Sequence, residues 1–352
     1  MNIKITGSGN YIPLEVITNS DFAKNQFLNE DGSLFQNSND VIAQKFQQIT
    51  GIEERRYASK NLVTSDLAFF AAQKAIADAN IDQETIDYII FAHNFGNMKF
   101  GTIQSDAVPS LAARVKQKLK IKNPRCVSYD VLFGCPGWIE GVIQASAFIK
   151  AGMAKKCLVI GAETLSRVID AHDRDSMIYS DGAGATIIEG TNDAGGILAH
   201  ASATFASDEA DYLFFGNSYN KNFDQDIRYI KMFGRKIYEF ALLEVPKAMK
   251  ECLDESGIPI TDIKKILIHQ ANEKMDEAII NRFFKLHNMA TPAGIMPMSI
   301  HKLGNSSVAT VPTLYDLLVK GKLENQEIHK GDHIIFASVG AGMNINCIVY
   351  KM

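Results

Sequence analysis

Cys135 carries the strongest indication of covalent chemistry in this chain. It follows the β-branched and aromatic run 127–133 and Gly134, and the helix-like stretch 139–150 comes directly after it. This order predicts a strand, a sharp turn and a helix with the thiol at its N-terminus. Unpaired N–H groups and the positive end of the helix dipole favour a thiolate there, so we expect Cys135 to be a nucleophile near neutral pH. The alternative is a buried cysteine that only fills space, which is commoner.

Two later polar residues strengthen the nucleophile interpretation. His269 ends an apolar strand in the segment 266–272, and Asn305 follows a Leu-Gly turn and precedes the helix-like stretch 308–320. Each therefore lies at the end of an element, where polar groups converge on clefts. A thiol with two side-chain N–H donors fits thioester chemistry, in which the donors stabilise a developing enolate oxygen. Taken singly, His269 fits a satisfied core histidine and Asn305 a helix cap equally well.

The chain also contains an internal repeat. Residues 80–91 align without gaps on residues 257–268, at an offset of 177. A second correspondence relates the Cys135 turn, its helix and the strand 157–161 to the Asn305 turn, its helix and the strand 333–339. The repeat predicts two similar α/β units with the polar residues at corresponding strand and helix ends.

Seven motifs give the chain a resemblance to a known family over nearly its full length. They are Gly-Ser-Gly-Asn-Tyr-Ile-Pro (7–13), Thr-Gly-Ile-Glu-Glu-Arg (50–55), Gly-Cys-Pro-Gly (134–137), Tyr-Ser-Asp-Gly-Ala-Gly-Ala (179–185), His-Gln-Ala-Asn (269–272), Gly-Asn-Ser-Ser (304–307) and Gly-Ala-Gly (340–342). The sequence resembles the thiolase-like condensing enzymes, and most of all 3-oxoacyl-(acyl-carrier-protein) synthase III. The resemblance implies an α/β thiolase-like fold of two repeated halves in a layered sandwich. We expect residues 1–190 to carry the nucleophilic cysteine and residues 191–352 the histidine and asparagine.

The resemblance also implies a mechanism and a set of partners. Cys135 would accept an acyl group from an acyl-coenzyme A or acyl-carrier thioester, with the backbone N–H groups of Cys135 and Ala341 holding the oxyanion. His269 and Asn305 would stabilise the enolate formed when malonyl-acyl carrier protein loses carbon dioxide. The product would be a 3-oxoacyl-carrier protein at the start of fatty-acid synthesis, made without a metal or redox cofactor. The resemblance also implies a homodimer.

Binding residues follow from the same resemblance. Arg174 matches a family position near the pantetheine and adenine end of coenzyme A. Lys274, Arg282 and Lys285 lie at near-helical spacing after His269, where the family's counterpart helix helps to bind the acidic carrier protein. The alternative for these three cations is an ordinary solvated helix face.

Two further positions, Val108 and Val339, are expected to line the acyl pocket. Val108 replaces a bulky aromatic residue that closes this pocket across the dimer interface in the family, and the segment 93–108 is longer than usual. The family's adenine-stacking Trp is absent from residues 39–49. These changes remove bulk, so we expect an acyl group longer than acetyl and weak or altered coenzyme A binding.

Other functions remain open on sequence alone. A secondary-metabolite condensing enzyme, for example of the dialkylresorcinol type, would use the same residues on longer acyl units. A Cys-His-Asn thioester hydrolase would share the residue types, although the repeat and the Gly-Asn turn favour condensation. A non-catalytic subunit of a heterodimer is less consistent with the sequence, since Cys135, His269 and Asn305 are all present.

Composition limits the class of protein. The 352 residues are 46% hydrophobic and 22% charged, which is ordinary for a globular protein with two packed halves. A net charge of −4 gives no broad attraction to nucleic acid, and no apolar run predicts a membrane span. Five cysteines without CxxC pairs favour a reduced, cytoplasmic setting. His329 and His333 are separated by Lys-Gly-Asp, which predicts a turn rather than a metal site.

Overall fold

The structure, a computed structural model, describes residues 1–352 and contains thirteen β-strands and eight α-helices joined by short 3₁₀ turns. The strands are β1 (Asn2–Tyr11), β2 (Glu15–Thr18), β3 (Glu54–Tyr57), β4 (Tyr88–Ala92), β5 (Val127–Val131), β6 (Lys156–Thr164), β7 (Asp181–Thr191), β8 (Gly196–Thr204), β9 (Leu213–Gly216), β10 (Tyr229–Met232), β11 (Ile263–Ile268), β12 (His333–Gly340) and β13 (Asn344–Lys351). The helices are α1 (Asn39–Thr50), α2 (Thr64–Asp78), α3 (Leu111–Leu119), α4 (Gly137–Lys150), α5 (Gly234–Ser256), α6 (Glu273–Leu286), α7 (Ile300–Leu303) and α8 (Thr310–Val319).

Two sheets with the same internal order form the framework. The first has the order β1-β7-β6-β4-β5, and the second has β8-β13-β12-β11. In the first sheet β4 is parallel to both of its neighbours, β6 and β5, and in the second β11 is parallel to β12. All other neighbouring pairs in the two sheets are antiparallel. The predicted repeat is thus visible as two matching sheets, of which the first has one extra edge strand. The strands of the first sheet all precede residue 192, and those of the second all follow residue 195, so each sheet is built from one continuous part of the chain.

The helices form layers on and between the sheets. Helices α2 and α3 pack on the outer face of the first sheet and α5 and α6 on the outer face of the second. Helices α4 and α8 lie between the sheets, where their apolar residues meet strands of both. The only Trp of the chain, Trp138, belongs to this central layer and is buried against Phe336. The layered α/β fold predicted from the sequence is confirmed.

The central layer explains why the polar motifs meet. Helix α4 begins just after Cys135, and α8 begins shortly after Asn305. Because both helices pack in one layer, their N-terminal turns lie at the same edge of the two sheets. His329 and His333 flank a turn that leads into β12, as predicted, far along that strand from its active end at Gly340. None of the helices is both long and apolar enough to cross a membrane.

Candidate active site

The Cys135 turn is pressed against the end of β12. Gly134 has a φ of +65°, and a Cβ there would lie 2.6 Å from the Ala341 nitrogen. A Cβ on Gly340 would collide with the Cys135 nitrogen. Only glycine at both positions permits this approach, which brings the N–H groups of Cys135 and Ala341 to one spot. The structure therefore places the two predicted oxyanion donors together.

His269 is held at the end of β11 with its ring at the active edge. Its N–H donates to the Ala337 carbonyl at 2.9 Å. The side chain is buried, and its Nδ1 has no hydrogen-bond partner. Burial lowers the pKa of His269 to about 4, because desolvation disfavours the imidazolium. The ring is therefore neutral at physiological pH and carries one N–H donor.

The other members of the His-Gln-Ala-Asn motif support this position. Gln270 is fully buried, donates through Nε2 to the Pro297 carbonyl at 2.8 Å and accepts from the Ser299 N–H at 2.9 Å. Asn272 caps α6 by accepting from the Met275 N–H at 3.1 Å. Both residues therefore fix the chain on the C-terminal side of His269.

Asn305 is locked by its backbone and by one side-chain oxygen. Its N–H donates to the Ile178 carbonyl at 3.0 Å, and its carbonyl accepts from the Ser180 N–H at 2.8 Å. Oδ1 accepts from the Ser307 N–H at 2.8 Å, which leaves the Nδ2 donors for the cavity. The interpretation of Asn305 as a helix cap therefore explains the contact of its Oδ1 but not the position of its Nδ2.

The backbone next to Asn305 is supported by a buried arginine from the Thr-Gly-Ile-Glu-Glu-Arg motif. Arg55 donates to the Met177 carbonyl at 3.0 Å and to the Asn19 Oδ1 at 2.7 Å. Burial lowers the pKa of Arg55 to about 10, so the guanidinium stays charged at neutral pH. Its Cβ lies 2.9 Å from the position of a Cβ on Gly304, and it therefore supports the turn that carries Asn305.

One cavity of about 290 Å³ joins the three predicted catalytic residues. Cys135, His269 and Asn305 all line it, together with Ala341 and Val339. Most of the remaining lining is apolar and comes from the hairpin of β9 and β10 and from nearby side chains, namely Phe95, Leu165, Ile178, Leu213, Phe214, Phe215, Ile230, Met232, Ile237, Met275 and Met343. A thiol, two N–H donors and an apolar chamber in one space suit an acyl thioester.

The environment of the thiol differs from the expectation. Burial raises the pKa of Cys135 to about 11, although a hydrogen bond from Ser307 acts in the opposite direction. Desolvation therefore disfavours the thiolate in the resting protein, and the thiol is protonated at neutral pH. This corrects the expectation of a ready thiolate.

Comparison with known proteins identifies the family. Residues 129–205 match the model of 3-oxoacyl-[acyl-carrier-protein (ACP)] synthase III, and residues 253–352 match the model of its C-terminal part. A β-ketoacyl-[acyl-carrier-protein] synthase III of Staphylococcus haemolyticus is 31% identical over 352 residues, which cover 100% of this chain and 99% of that protein. The chain belongs to the 3-oxoacyl-[acyl-carrier-protein] synthase III family. It is therefore a condensing acyltransferase, as the motifs predicted.

Solved structures agree with this assignment. The synthase III of Aquifex aeolicus superposes with a TM-score of 0.81 at 30% identity, covering 99% of this chain and 100% of that one. A priming β-ketosynthase of the R1128 polyketide pathway has a TM-score of 0.81 at 20% identity, covering 100% of this chain and 96% of that one. The second likeness shows the fold alone.

An outer cleft of about 390 Å³ leads to the synthase cavity. It shares Ile178, Met232, Ile237, Ala271 and Met275 with that cavity, so the two are continuous. Arg174 lines this cleft, with its guanidinium over the Phe35 ring at 5.2 Å. The cleft lies between the cavity and the protein surface beside α1 and α6.

The remaining predicted residues lie on the surface. Lys274, Arg282 and Lys285 are exposed on α6, whose first turn borders the outer cleft. Val108 is 86% exposed and does not line the cavity of its own chain. Whether it closes the pocket of a partner subunit stays a prediction, whereas Val339 lies in the cavity itself.

Sequence reasoning missed several side chains around the site. It assigned no role to Ser307, Asn94 or Glu163, which form hydrogen bonds behind the thiol. It also missed the hairpin wall, where Lys231 is buried between Asp170 at 2.7 Å and Asp173 at 3.0 Å. The apolar runs 213–215 and 229–233 were the available signal for that hairpin.

Proposed function

We propose that this synthase catalyses the decarboxylative Claisen condensation of an acyl thioester with malonyl-acyl carrier protein, giving a 3-oxoacyl-acyl carrier protein at the start of fatty-acid synthesis. The observation that carries the proposal is the shared cavity of Cys135, His269 and Asn305 in a chain of this family. Cys135 is available for acyl transfer, and His269 and Asn305 are available together for the decarboxylation.

The first half-reaction is acyl transfer. Sγ of Cys135 attacks the thioester carbonyl carbon and forms a new carbon–sulfur bond. The carbon–sulfur bond of the donor breaks, and the thiol of coenzyme A or of the carrier departs with the cysteine proton. The oxyanion lies against the N–H groups of Cys135 and Ala341, which the close contacts of Gly134 and Gly340 bring together. Each such donor contributes about 3 kcal/mol to stabilising the transition state.

The second half-reaction is decarboxylation followed by carbon–carbon bond formation. The malonyl thioester carbonyl faces His269 and Asn305, and loss of carbon dioxide leaves an enolate whose oxygen accepts their N–H donors. The enolate carbon then attacks the acyl carbon and expels Sγ of Cys135. Because loss of carbon dioxide drives this step, the proposed reaction requires no metal or redox cofactor.

Product analysis with purified protein tests this proposal. Acyl-coenzyme A donors and malonyl-acyl carrier protein are supplied, and we expect 3-oxoacyl-carrier protein by mass spectrometry. Acyl-Cys135 that hydrolyses at the same rate with and without malonyl thioester, and gives no condensed product, would support the hydrolase instead. Condensation only with 3-oxoacyl acceptors would support the secondary-metabolite alternative.

The carrier protein is proposed to dock on the cationic face of α6. Lys274 and Lys285 are separated by about three helical turns, so they lie on the same side of the helix. Neither they nor Arg282 forms an ion pair within the chain, and all three are exposed beside the outer cleft. An acidic carrier would deliver its thioester arm through that cleft, past Arg174.

Charge reversal tests the docking face. We expect Lys274→Glu/Lys285→Glu to raise the KM for malonyl-carrier protein about tenfold at low salt, and the effect to shrink as salt is added. The KM for a small malonyl thioester should not change. Lys322→Glu/Lys330→Glu is the matched control, because these exposed lysines lie before β12, at the end of the strand opposite Gly340. An equal effect of both pairs would reject the docking face.

The acyl chain is proposed to occupy the apolar part of the cavity. Each methylene that leaves water gains about 0.8 kcal/mol, a factor of about four in preference. We therefore expect the acylation rate to be highest with donors longer than acetyl. Val339→Phe fills the cavity from within and should move the optimum to shorter chains.

Val108→Phe serves as the companion variant. Residue 108 lies outside the cavity of its own chain. A phenylalanine there can therefore change the chain-length preference only if its side chain enters the cavity of a partner subunit. A donor series from two to twelve carbons measures both variants. A wild-type optimum at acetyl that Val339→Phe leaves unchanged would contradict the proposed pocket.

We also propose a homodimer in a reducing cytoplasm. The dimer rests on the resemblance to the family. The reducing compartment is supported by five cysteines that are all free thiols, four of them buried.

A further inference from the structure

A line of hydrogen-bonded side chains behind Cys135 has no part in the mechanism above. Ser307 Oγ donates to Cys135 Sγ at 3.3 Å. Asn94 Nδ2 donates to Ser307 Oγ at 3.3 Å and to Glu163 Oε1 at 2.7 Å. The Asn94 backbone N–H donates to the same carboxylate oxygen at 2.6 Å. We call Glu163, Asn94 and Ser307 the Ser307 array.

The direction of these bonds is fixed by chemistry. Glu163 Oε1 accepts from the Asn94 backbone N–H and from Asn94 Nδ2, so the two amide hydrogens of Asn94 face Glu163 and Ser307. The Ser307 oxygen then accepts from Asn94, which leaves the hydroxyl hydrogen for the Cys135 sulfur. Ser307 itself has a φ of +52° and is held by its N–H bond to Asn305. The hydroxyl is thus oriented from both sides.

Glu163 is enclosed by the protein, and its side chain is hydrogen-bonded only to Asn94. Its side chain is fully buried, and its second oxygen has no partner. Burial raises the pKa of Glu163 to about 7, and the charged or titratable groups that act on it are His93 and Asp181. His93 accepts from the Gly96 N–H at 3.1 Å and contacts Asp130 at 3.0 Å, so its neighbours already occupy both ring nitrogens.

We propose that the Ser307 array is a positioning device that directs the Ser307 O–H onto Cys135 Sγ and stabilises the thiolate as acyl transfer begins. Ser307 keeps its own proton, while the proton of the thiol leaves with the departing carrier thiol. A hydrogen bond to a charged group is stronger than one to a neutral group, so the bond favours the thiolate over the thiol. The Ser307 bond thereby helps acylation, although burial and the charge of Glu163 both raise the pKa of Cys135. The inference rests on the proposed role of Cys135 as the nucleophile.

Alkylation of Cys135 tests the array without any thioester. Iodoacetamide is added between pH 7 and 10, and modification of Cys135 is followed by peptide mass spectrometry. We expect Ser307→Ala to slow alkylation about tenfold at every pH in this range, because the thiolate loses a donor and its fraction falls. Ser306→Ala is the matched control, since this neighbouring buried hydroxyl contacts Thr310 and not Cys135.

The array also predicts how its members combine. Asn94→Ala should slow alkylation nearly as much as Ser307→Ala, and the double variant should be no slower than Ser307→Ala, because both changes remove one oriented hydrogen bond. Glu163→Gln keeps an acceptor for Asn94 and should retain at least about half of the wild-type rate, whereas Glu163→Ala should behave like Asn94→Ala. Thermal unfolding of each variant confirms that the fold is intact.

Three results would overturn the array. The first is an alkylation rate of Ser307→Ala equal to that of the wild type, and the second is a rate in the double variant that falls about a hundredfold because the single effects multiply. The third is an alkylation rate of Glu163→Gln as low as that of Glu163→Ala. The variants could show the expected alkylation rates while the wild-type protein forms no acyl-Cys135 from any donor. That result would support the Ser307 array and reject the proposed function. The two failures are therefore distinct.

Discussion

Cys135→Ala should abolish acyl-enzyme formation and condensation while the protein remains folded. The thiol is the only nucleophile in the cavity placed beside the two backbone N–H donors, and the covalent intermediate has no other site. Intact-mass measurement after incubation with acyl-coenzyme A reads the result directly, because each acyl group adds its own mass. We expect the loss of condensation to reach at least about 10³-fold.

The matched control is Cys126→Ala. Cys126 is a free thiol that is buried in the first half, away from the cavity, and its removal should leave acylation unchanged. Cys157, Cys252 and Cys347 are likewise buried in the core. An acyl mass on the Cys135→Ala protein would reassign the nucleophile.

The sequence predicted the parts of the site that follow from local order and from the repeat. Two equivalent turns were indicated by the sequence, because Cys135 lies between a strand and a helix and Asn305 precedes the corresponding helix. The structure confirms that those helices share one layer, so the turns converge. His269 was predicted for the same reason, since it ends the strand that corresponds to β4.

The features that the sequence did not predict depend on contacts between distant residues. Ser307 meets Cys135 across 172 positions, and Asn94 meets Ser307 across 213. Neither pairing leaves a local pattern. The raised pKa of Cys135 likewise depends on how many groups surround the thiol. Lys231 looks like an ordinary strand lysine in sequence, yet it is buried because Asp170 and Asp173 fold back over it.

His269 and Asn305 should affect the other half-reaction. Because their donors face the enolate rather than the acyl-Cys oxyanion, His269→Ala and Asn305→Ala should still acylate at Cys135 but decarboxylate malonyl thioester about 10²–10³-fold more slowly. The decarboxylation step is isolated by placing each change in the Cys135→Ala background, where acyl transfer cannot occur. Carbon dioxide release from malonyl-carrier protein is then the measurement.

Asn305→Asp sharpens the comparison. The aspartate keeps the oxygen that accepts from the Ser307 N–H but replaces the amide donors with a second oxygen, which repels an enolate. Decarboxylation should therefore fall at least as far as in Asn305→Ala, although the backbone turn is preserved. Equal loss of acylation in the Cys135, His269 and Asn305 variants would instead indicate a single triad of the hydrolase kind.

The pH profile of decarboxylation separates the neutral form of His269 from its charged form. A histidine of ordinary pKa would gain its proton as the pH falls through about 6.5. Burial lowers the pKa of His269 to about 4, so the ring gains its proton only near that pH and the neutral N–H donor persists above it. We therefore expect the decarboxylation rate of the Cys135→Ala protein to show no transition near pH 6.5 that comes from His269. The same measurement on the Cys135→Ala/His269→Ala protein identifies any transition that His269 causes, because that transition would be missing there. Such a transition would show that the imidazolium, rather than the neutral ring, takes part in the step.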